Sequence, residues 1–227
     1  MRDVSKAKLP VHGFVLAGGK SSRMGADKAL LKFRGRSMVE IAVEKLRGFC
    51  AEVSIAGNRE DLGRFAPVVR EERVDCGPAA GIEAGLKAAQ QEWAMFVPVD
   101  VPLVPGELLL RWAGSVIAAN EDAEAVEVMG PLLGAWLRVL GQSQPAFCLL
   151  RHEALATVSG ELENGKRKLV EIFAAIRYEL GVASVIEVDA ATIDGVLKPT
   201  ASQVERWFTN VNTPQELVEA EADPLRG

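Results

Sequence analysis

Residues 11–16 form a short apolar run that opens directly into a glycine-rich, basic stretch: Leu16-Ala17-Gly18-Gly19-Lys20-Ser21-Ser22-Arg23-Met24-Gly25-Ala26-Asp27-Lys28. A strand ending in adjacent glycines and then in cations restricts the fold more than any other feature of the chain. Glycines let backbone N–H groups approach an anion, and arginine and lysine neutralise it. Six basic residues lie between Lys20 and Arg36 with only Asp27 against them, whereas the whole chain carries a formal net charge of −5. Two familiar phosphate loops do not fit. A Walker A loop requires a glycine where Phe14 stands. A dinucleotide fingerprint requires separated glycines, and Gly18 and Gly19 are adjacent.

Strand-like and helix-like patterns alternate after this loop. Strands are expected at 11–16, 52–56, 66–69 and 93–99, with helices from Ser37 and at 59–65, 77–90 and 105–119. The run 93–99 shows no polar alternation, as expected of a central parallel strand covered on both faces. This β-α-β-α order predicts an α/β fold, a single domain with a mainly parallel twisted sheet, helices on both faces and right-handed crossovers. Ligands on such sheets sit beyond the carboxyl ends of the strands. The 16–28 loop and Asp100 should therefore face one crevice.

Ser37-Met38-Val39-Glu40 reads as a capping box, and Pro105 suits the first turn of its helix. Further strands are expected at 125–129, 144–150 and 185–188, and helices at 154–158 and 169–176. The insert 130–143 carries Trp136, Leu137 and Leu140 and reads equally as core, lid or contact surface, while 189–207 shows no regular pattern. Thr213-Pro214-Gln215-Glu216 starts a helix, with Thr as cap, Pro at the first position and Glu closing the box.

Hydrophobic residues make up 48% and charged residues 25% of the 227, the proportions of a soluble globular protein. The acidic balance argues against nucleic acid or an anionic membrane as partner. No apolar run approaches the roughly 18 residues of a membrane span, and the first ten residues hold no signal-like stretch. Cys50, Cys76 and Cys148 are widely spaced, without a C-x-x-C pair, which disfavours zinc and suits a reducing cytoplasm.

The pattern L-A-G-G-x-S-x-R-M-G-x-D-K, from Leu16 to Lys28, resembles the signature loop of nucleotidyltransferases that activate small molecules with a nucleoside triphosphate. Among them it is most similar to the molybdenum cofactor guanylyltransferases. The resemblance implies a Rossmann-like nucleotidyltransferase fold with a nucleotide-binding half at about 11–105 and an acceptor-binding half at about 106–221. It implies that the Leu16, Ala17, Gly18 and Gly19 backbone holds base and phosphates, and that Arg23 and Lys28 hold the triphosphate. Fixed cations of this kind stabilise charge that spreads over the α-phosphate and the departing pyrophosphate.

Asp100 ends the 93–99 run between Pro98 and Pro102. A carboxylate there is badly placed for core packing and well placed to hold a hard cation. The other reading is a cap on a nearby backbone group. By resemblance it binds Mg2+. Gly77-Pro78-Ala79-Ala80-Gly81 resembles the family's G-P-L-A-G, with Ala79 departing from it; Gly77, Pro78 and Gly81 are expected at the nucleotide. The bland alternative is a tight turn packed on a strand. Glu71, Glu72 and Asp75 compete for a role that the family gives to an aspartate touching the nucleotide; Glu71 aligns best, against the reading of solvated turn residues. Asn58 is either the family's A-N-R asparagine at the nucleotide or a helix cap.

Asn210-Val211-Asn212-Thr213-Pro214 matches the N-V-N-T-P of guanylyltransferases, which places Asn210 and Asn212 on the acceptor side. A neutral amide at Asn212 weakens the case for a second metal carboxylate. Lys166 and Arg167 resemble a G-x-R-R/K segment directed to the molybdopterin phosphate, or form a solvated face. Gln144-Pro145 resembles a segment on the pterin side, and His12 and His152 have no assigned role.

The expected reaction is transfer of GMP from GTP to molybdopterin or molybdenum-molybdopterin, giving the guanine dinucleotide and pyrophosphate in the cytoplasm. Transient contact with other molybdenum-cofactor proteins goes with that role. Cytidylyl or sugar-phosphate nucleotidyl transfer on the same fold is the enzymatic rival. A non-catalytic nucleotide- or cofactor-binding accessory protein is the other, and Lys28 together with Asp100 argues against it.

Overall fold

A computed structural model of the chain describes residues 8–18, 27–122, 126–127, 130–180, 185–193 and 199–222. Strand β1 (Leu9–Leu16) is followed by a small antiparallel hairpin, β2 (Lys32–Phe33) and β3 (Arg36–Ser37). Helix α1 (Met38–Arg47), β4 (Cys50–Ala56), β5 (Val68–Val69), α2 (Pro78–Ala88) and β6 (Trp93–Pro98) come next. Then follow α3 (Gly106–Glu121), the β7 (Gly134–Val139) and β8 (Gln142–Arg151) hairpin, α4 (Leu155–Glu163) and α5 (Leu169–Leu180). Strand β9 (Val185–Asp189), α6 (Ala201–Trp207) and α7 (Pro214–Ala222) complete the order.

The main sheet runs β5-β4-β1-β6-β8-β7-β9. Strands β5, β4, β1 and β6 are mutually parallel, and β7 is parallel to β9. Only β8 runs against its neighbours, β6 and β7. The expected parallel sheet therefore holds for the first half, and the β7–β8 hairpin makes the second half mixed. No described helix is long and apolar enough to cross a membrane.

Alternation along the central strands sorts the core onto two faces. Val11 and Val15 of β1, with Trp93, Met95 and Val97 of β6, join a cluster containing α1 and α3 residues. Phe14 and Leu16, with Ala94 and Phe96, join the opposite cluster with α2, α4 and α5. Both strands are thus covered on both sides, which is why neither shows a polar face in sequence. Helix α2 comes very close to the sheet. A Cβ at Gly85 would lie 2.4 Å from the Phe96 ring, so only a glycine fits there. The buried His12 donates or accepts at Ser54 Oγ over 2.9 Å and accepts from the Gln90 amide, which makes it a satisfied core residue.

Several expectations need correction. Ser37 caps α1 by position but its buried hydroxyl makes no cap hydrogen bond, and the Glu40 carboxylate lies toward Arg36. Pro105 is the N-cap of α3, not its first residue. Of the expected strand 125–129, Val126 and Glu127 are helical, and 125, 128 and 129 lie outside the described residues. The insert 130–143 is core along β7, where Trp136 and Leu137 are buried and Trp136 stacks on Phe173, whereas Leu140 is exposed at the turn into β8. The stretch 189–207 contains α6, started by a capping box between Thr200 and Gln203.

Candidate active site

Strands β1 and β6 end side by side, with Leu16 opposite Pro98 and the Val99 amide donating to the Leu16 carbonyl. This places the start of the basic loop beside Asp100. Gly19 and Arg23 lie outside the described residues. Leu16 and Ala17 are held at the end of β1, and the Ala17 amide bonds the Ala56 carbonyl. Gly57 packs so closely that a Cβ there would lie 2.8 Å from the Gly18 nitrogen.

Lys28 begins a short 3-10 turn, Lys28–Leu30, capped by the Asp27 carboxylate on the Ala29 amide. Its ammonium donates to Asn212 Oδ1 at 2.5 Å. The Val211 amide in turn donates to the Asp100 carbonyl at 2.8 Å, so the C-terminal motif is strapped to the end of β6. Val211 itself is buried against Phe33 and Met38, and Glu216 accepts from the Asn212 and Thr213 amides while Thr213 Oγ1 caps α7. Lys28, Asp100 and Asn212, distant in sequence, thus meet at one place. Burial raises the Asp100 pKa, and the Lys28 charge offsets part of that rise. Asn210 is exposed beside them.

Glu71 is the carboxylate, of the three considered, that enters the crevice. Its Oε1 would be 2.1 Å from a Cβ built on Gly18 and 3.2 Å from one on Gly81. Burial raises its pKa. Glu72 and Asp75 are exposed, and Glu72 pairs with Lys87. Asn58 fixes Glu71 by a reciprocal pair of 3.1 Å bonds between its amide group and the Glu71 backbone. It caps no helix, since Arg59 holds the N-cap position of the following turn. Gly77, with φ of 58°, turns the chain into α2, and Pro78 occupies the first turn. Gly81 lets α2 approach Leu16, whose Cδ2 would be 2.9 Å from a Cβ there.

Lys166 and Arg167 are not joined to this cluster by any hydrogen bond or ion pair among the described residues. Arg167 donates instead to the Leu162 and Lys166 carbonyls at the end of α4. Two residues beyond the sequence expectations stand out. Arg59 binds both Asp27 and Asp61. Lys45, on α1, donates to the Pro102 carbonyl at 2.5 Å, two residues beyond Asp100.

The Asp100 carboxylate beside Lys28 suits a magnesium ion, which takes one or two carboxylates and fills its octahedron with water and phosphate oxygens. Among the described residues no group of three or more His, Cys, Asp or Glu could hold a metal by themselves. Asp100 could hold a cation that arrives with a phosphate ligand.

Comparison with known proteins gives a family match. The family model described as "MobA-like NTP transferase domain" matches residues 13–178. A molybdenum cofactor guanylyltransferase of Vibrio atlanticus is 31% identical over 209 residues, covering 90% of this chain and 92% of that protein. One of Cupriavidus metallidurans is 33% identical over 228 residues, covering 96% and 97%. Among solved structures, molybdopterin-guanine dinucleotide biosynthesis protein A of Archaeoglobus fulgidus superposes with a TM-score of 0.68 at 19% identity, covering 92% of this chain and 96% of that one. That likeness is one of fold.

Proposed function

Because the chain belongs to the MobA-like NTP transferase family, we propose that it transfers GMP from GTP to the terminal phosphate of molybdopterin or its molybdenum form. The observation that carries this reading is the meeting of Lys28, Asp100 and Asn212 at the carboxyl end of the sheet, tied by the Lys28–Asn212 and Val211–Asp100 hydrogen bonds. In the reaction a phosphate oxygen of the acceptor forms a bond to the α-phosphorus of GTP. The bond from that phosphorus to the bridging oxygen breaks, and pyrophosphate leaves with the electron pair. A phosphate monoester is mostly ionised at neutral pH, its second pKa being about 6. It needs no strong general base, so the protein contributes position and charge neutralisation.

Each described residue has a part in this reading. Leu16, Ala17, Gly18, Gly77, Pro78 and Gly81 serve the nucleotide half, residues 11–105, where Gly18 lies against Gly57 and Gly81 against Leu16. Lys28, with Arg23 from the same loop, neutralises the triphosphate. Asn210 and Asn212 stand on the side of the acceptor half, residues 106–221, and orient its phosphate. Bound Mg2+, held by Asp100, would supply Lewis-acid neutralisation of the phosphate oxygens. The network around Arg167 supports a structural part for the 166–167 tract. A cytoplasmic setting, where molybdopterin and its acceptor enzymes meet this protein transiently, goes with the three cysteines being free.

Glu71 favours guanine over cytosine. An ionised carboxylate offers only acceptors. The Watson–Crick edge of guanine presents adjacent N1–H and N2–H donors, whereas cytosine presents one amino donor beside the N3 and O2 acceptors. A site that bonds donor groups rejects a ligand lacking them strongly, because its buried polar atoms are left unpaired. Turnover with molybdopterin and each of GTP, CTP, ATP and UTP, read as pyrophosphate release, tests the assignment. Preference for GTP is expected, and a clear preference for CTP would overturn it.

A further inference from the structure

We propose that Arg59 is a positioning residue for Lys28 and acts through the Asp27 carboxylate. The inference rests on the reading of Lys28 as a triphosphate ligand. The turn that follows β4 touches three separated parts of the nucleotide half. Gly57 abuts Gly18, Asn58 holds the Glu71 backbone, and Arg59 reaches Asp27. Arg59 does so with a fork of donors. Nη1 donates to Asp27 Oδ1 at 2.9 Å, and Nη2 pairs with Asp27 Oδ2. Nε and Nη2 also reach Asp61 Oδ1 at 2.8 Å and Oδ2 at 2.7 Å. Its side chain is 26% exposed, and the two carboxylates hold its charge firmly.

The consequence falls on the next residue. Asp27 Oδ1 accepts from the Ala29 amide at 3.1 Å, so the same oxygen that Arg59 binds also starts the turn carrying Lys28. An Asp27 carboxylate without Arg59 would stand one residue from the Lys28 ammonium. It would compete for that ammonium and repel an incoming triphosphate. With Arg59 in place, the Lys28 ammonium is directed to Asn212 instead. A lysine at position 59 cannot reproduce this, because an ammonium is a point charge and cannot present the planar fork to two carboxylates.

GMP transfer from GTP to molybdopterin and thermal melting should be measured on the full chain and on Arg59→Met, Arg59→Lys, Lys28→Met and Arg59→Met/Lys28→Met. Arg59→Met is expected to lower kcat/KM for GTP by about tenfold, the size of coupling seen between contacting charged groups, while KM for molybdopterin stays unchanged. Arg59→Lys should lie between it and the parent. In the Lys28→Met background, Arg59→Met should cost nothing further. The same loss in both backgrounds would show that Arg59 acts independently of Lys28 and would overturn the inference. A loss that only follows the folded fraction would overturn it as a purely structural effect. Normal transfer by Lys28→Met would overturn the reading of Lys28 itself, and the inference with it.

Discussion

The ammonium of Lys28 donates to the side-chain oxygen of Asn212 over 2.5 Å, although 184 positions separate them in sequence. One belongs to the turn after the basic loop, the other to the strap that hangs from the Asp100 carbonyl. A charge introduced at Asn212 would therefore act directly on Lys28.

That contact makes Asn212→Asp informative. The substitution keeps the shape and replaces a neutral acceptor with an anion. The new carboxylate would pair with Lys28 and oppose the triphosphate. GMP transfer should fall by at least about tenfold, in the range seen when one electrostatic element of a site is lost. The melting temperature should hold, since the bonds from the Asn212 amide to Glu216 are made by backbone. Unchanged transfer by Asn212→Asp would remove Lys28–Asn212 from the working site.

Asp100→Asn separates stability from chemistry. Burial has raised the Asp100 pKa, so the ionised form costs stability at neutral pH, and that cost disappears as pH falls through the raised value. Asparagine removes the charge. The variant should melt no lower than the parent at pH 7, with its advantage shrinking as the pH is lowered toward the carboxylate range. Transfer should fall by at least about a hundredfold. Melting curves and transfer on one sample, across a magnesium titration, provide the check. A lower melting temperature with transfer per folded molecule intact would assign Asp100 to structure.

Much of this arrangement was legible in one dimension. Apolar runs separated by helix-length segments marked the parallel half of the sheet, since strands covered on both faces leave no polar alternation. Asp100 was legible because a lone carboxylate at the end of such a strand has no packing reason to be there, and Lys28 because it ends a glycine-rich basic loop with a family likeness. The reversal at β8 was not, because an antiparallel hairpin and a parallel crossover can begin with the same apolar strand. Capping signals went both ways. Ser37 and Glu40 have the right spacing, yet the Ser37 hydroxyl makes no cap bond, whereas Thr200 and Gln203 form a true box inside a stretch with no apolar period. Arg59 escaped notice because its partner Asp27 lies 32 positions away. Glu71 aligned best of the three carboxylates, and the structure adds that Lys87 takes Glu72.

Glu83 should carry part of the acid sensitivity of the fold. It lies on the Ala- and Gly-rich helix α2 with 3% of its side chain exposed, bound by Arg73 at 2.9 Å and by Ser159 at 2.8 Å, with Lys87 3.5 Å away. Burial alone would raise its pKa, but Arg73, Ser159 and Lys87 together bring it below the ordinary value of 4.5. A lowered carboxylate contributes stability above its unfolded value, and that contribution is lost as pH falls through the folded one. Glu83→Gln should cost roughly 2 kcal/mol at pH 7, the worth of a hydrogen-bonded buried charge. The gap in urea midpoint between parent and variant should close below about pH 4. A gap that is the same at pH 7 and at pH 3.5 would show that the charge is not the stabilising feature.

Lys45 should shape stability on the alkaline side. Its ammonium reaches the Pro102 carbonyl from α1, and burial lowers its pKa from 10.5 to about 7. Below that value the folded protein bears a poorly solvated charge. Between about 7 and 10.5 the unfolded chain binds more protons at this residue than the folded one, so its contribution to stability rises with pH. Lys45→Met removes that dependence while keeping the stem packed. Burial also raises the Cys50 and Cys148 thiols, which works in the opposite direction, but both thiols are present in parent and variant. The difference between the two proteins therefore isolates Lys45. Unfolding free energies from urea titrations at pH 7 and pH 9 should show the parent gaining roughly 2 kcal/mol on Lys45→Met over those two pH units, below the ceiling of about 1.4 kcal/mol per pH unit for one proton. Parallel curves over that range would mean that Lys45 keeps its proton, and that the Pro102 carbonyl and its surroundings solvate the charge well enough to leave it an ordinary lysine.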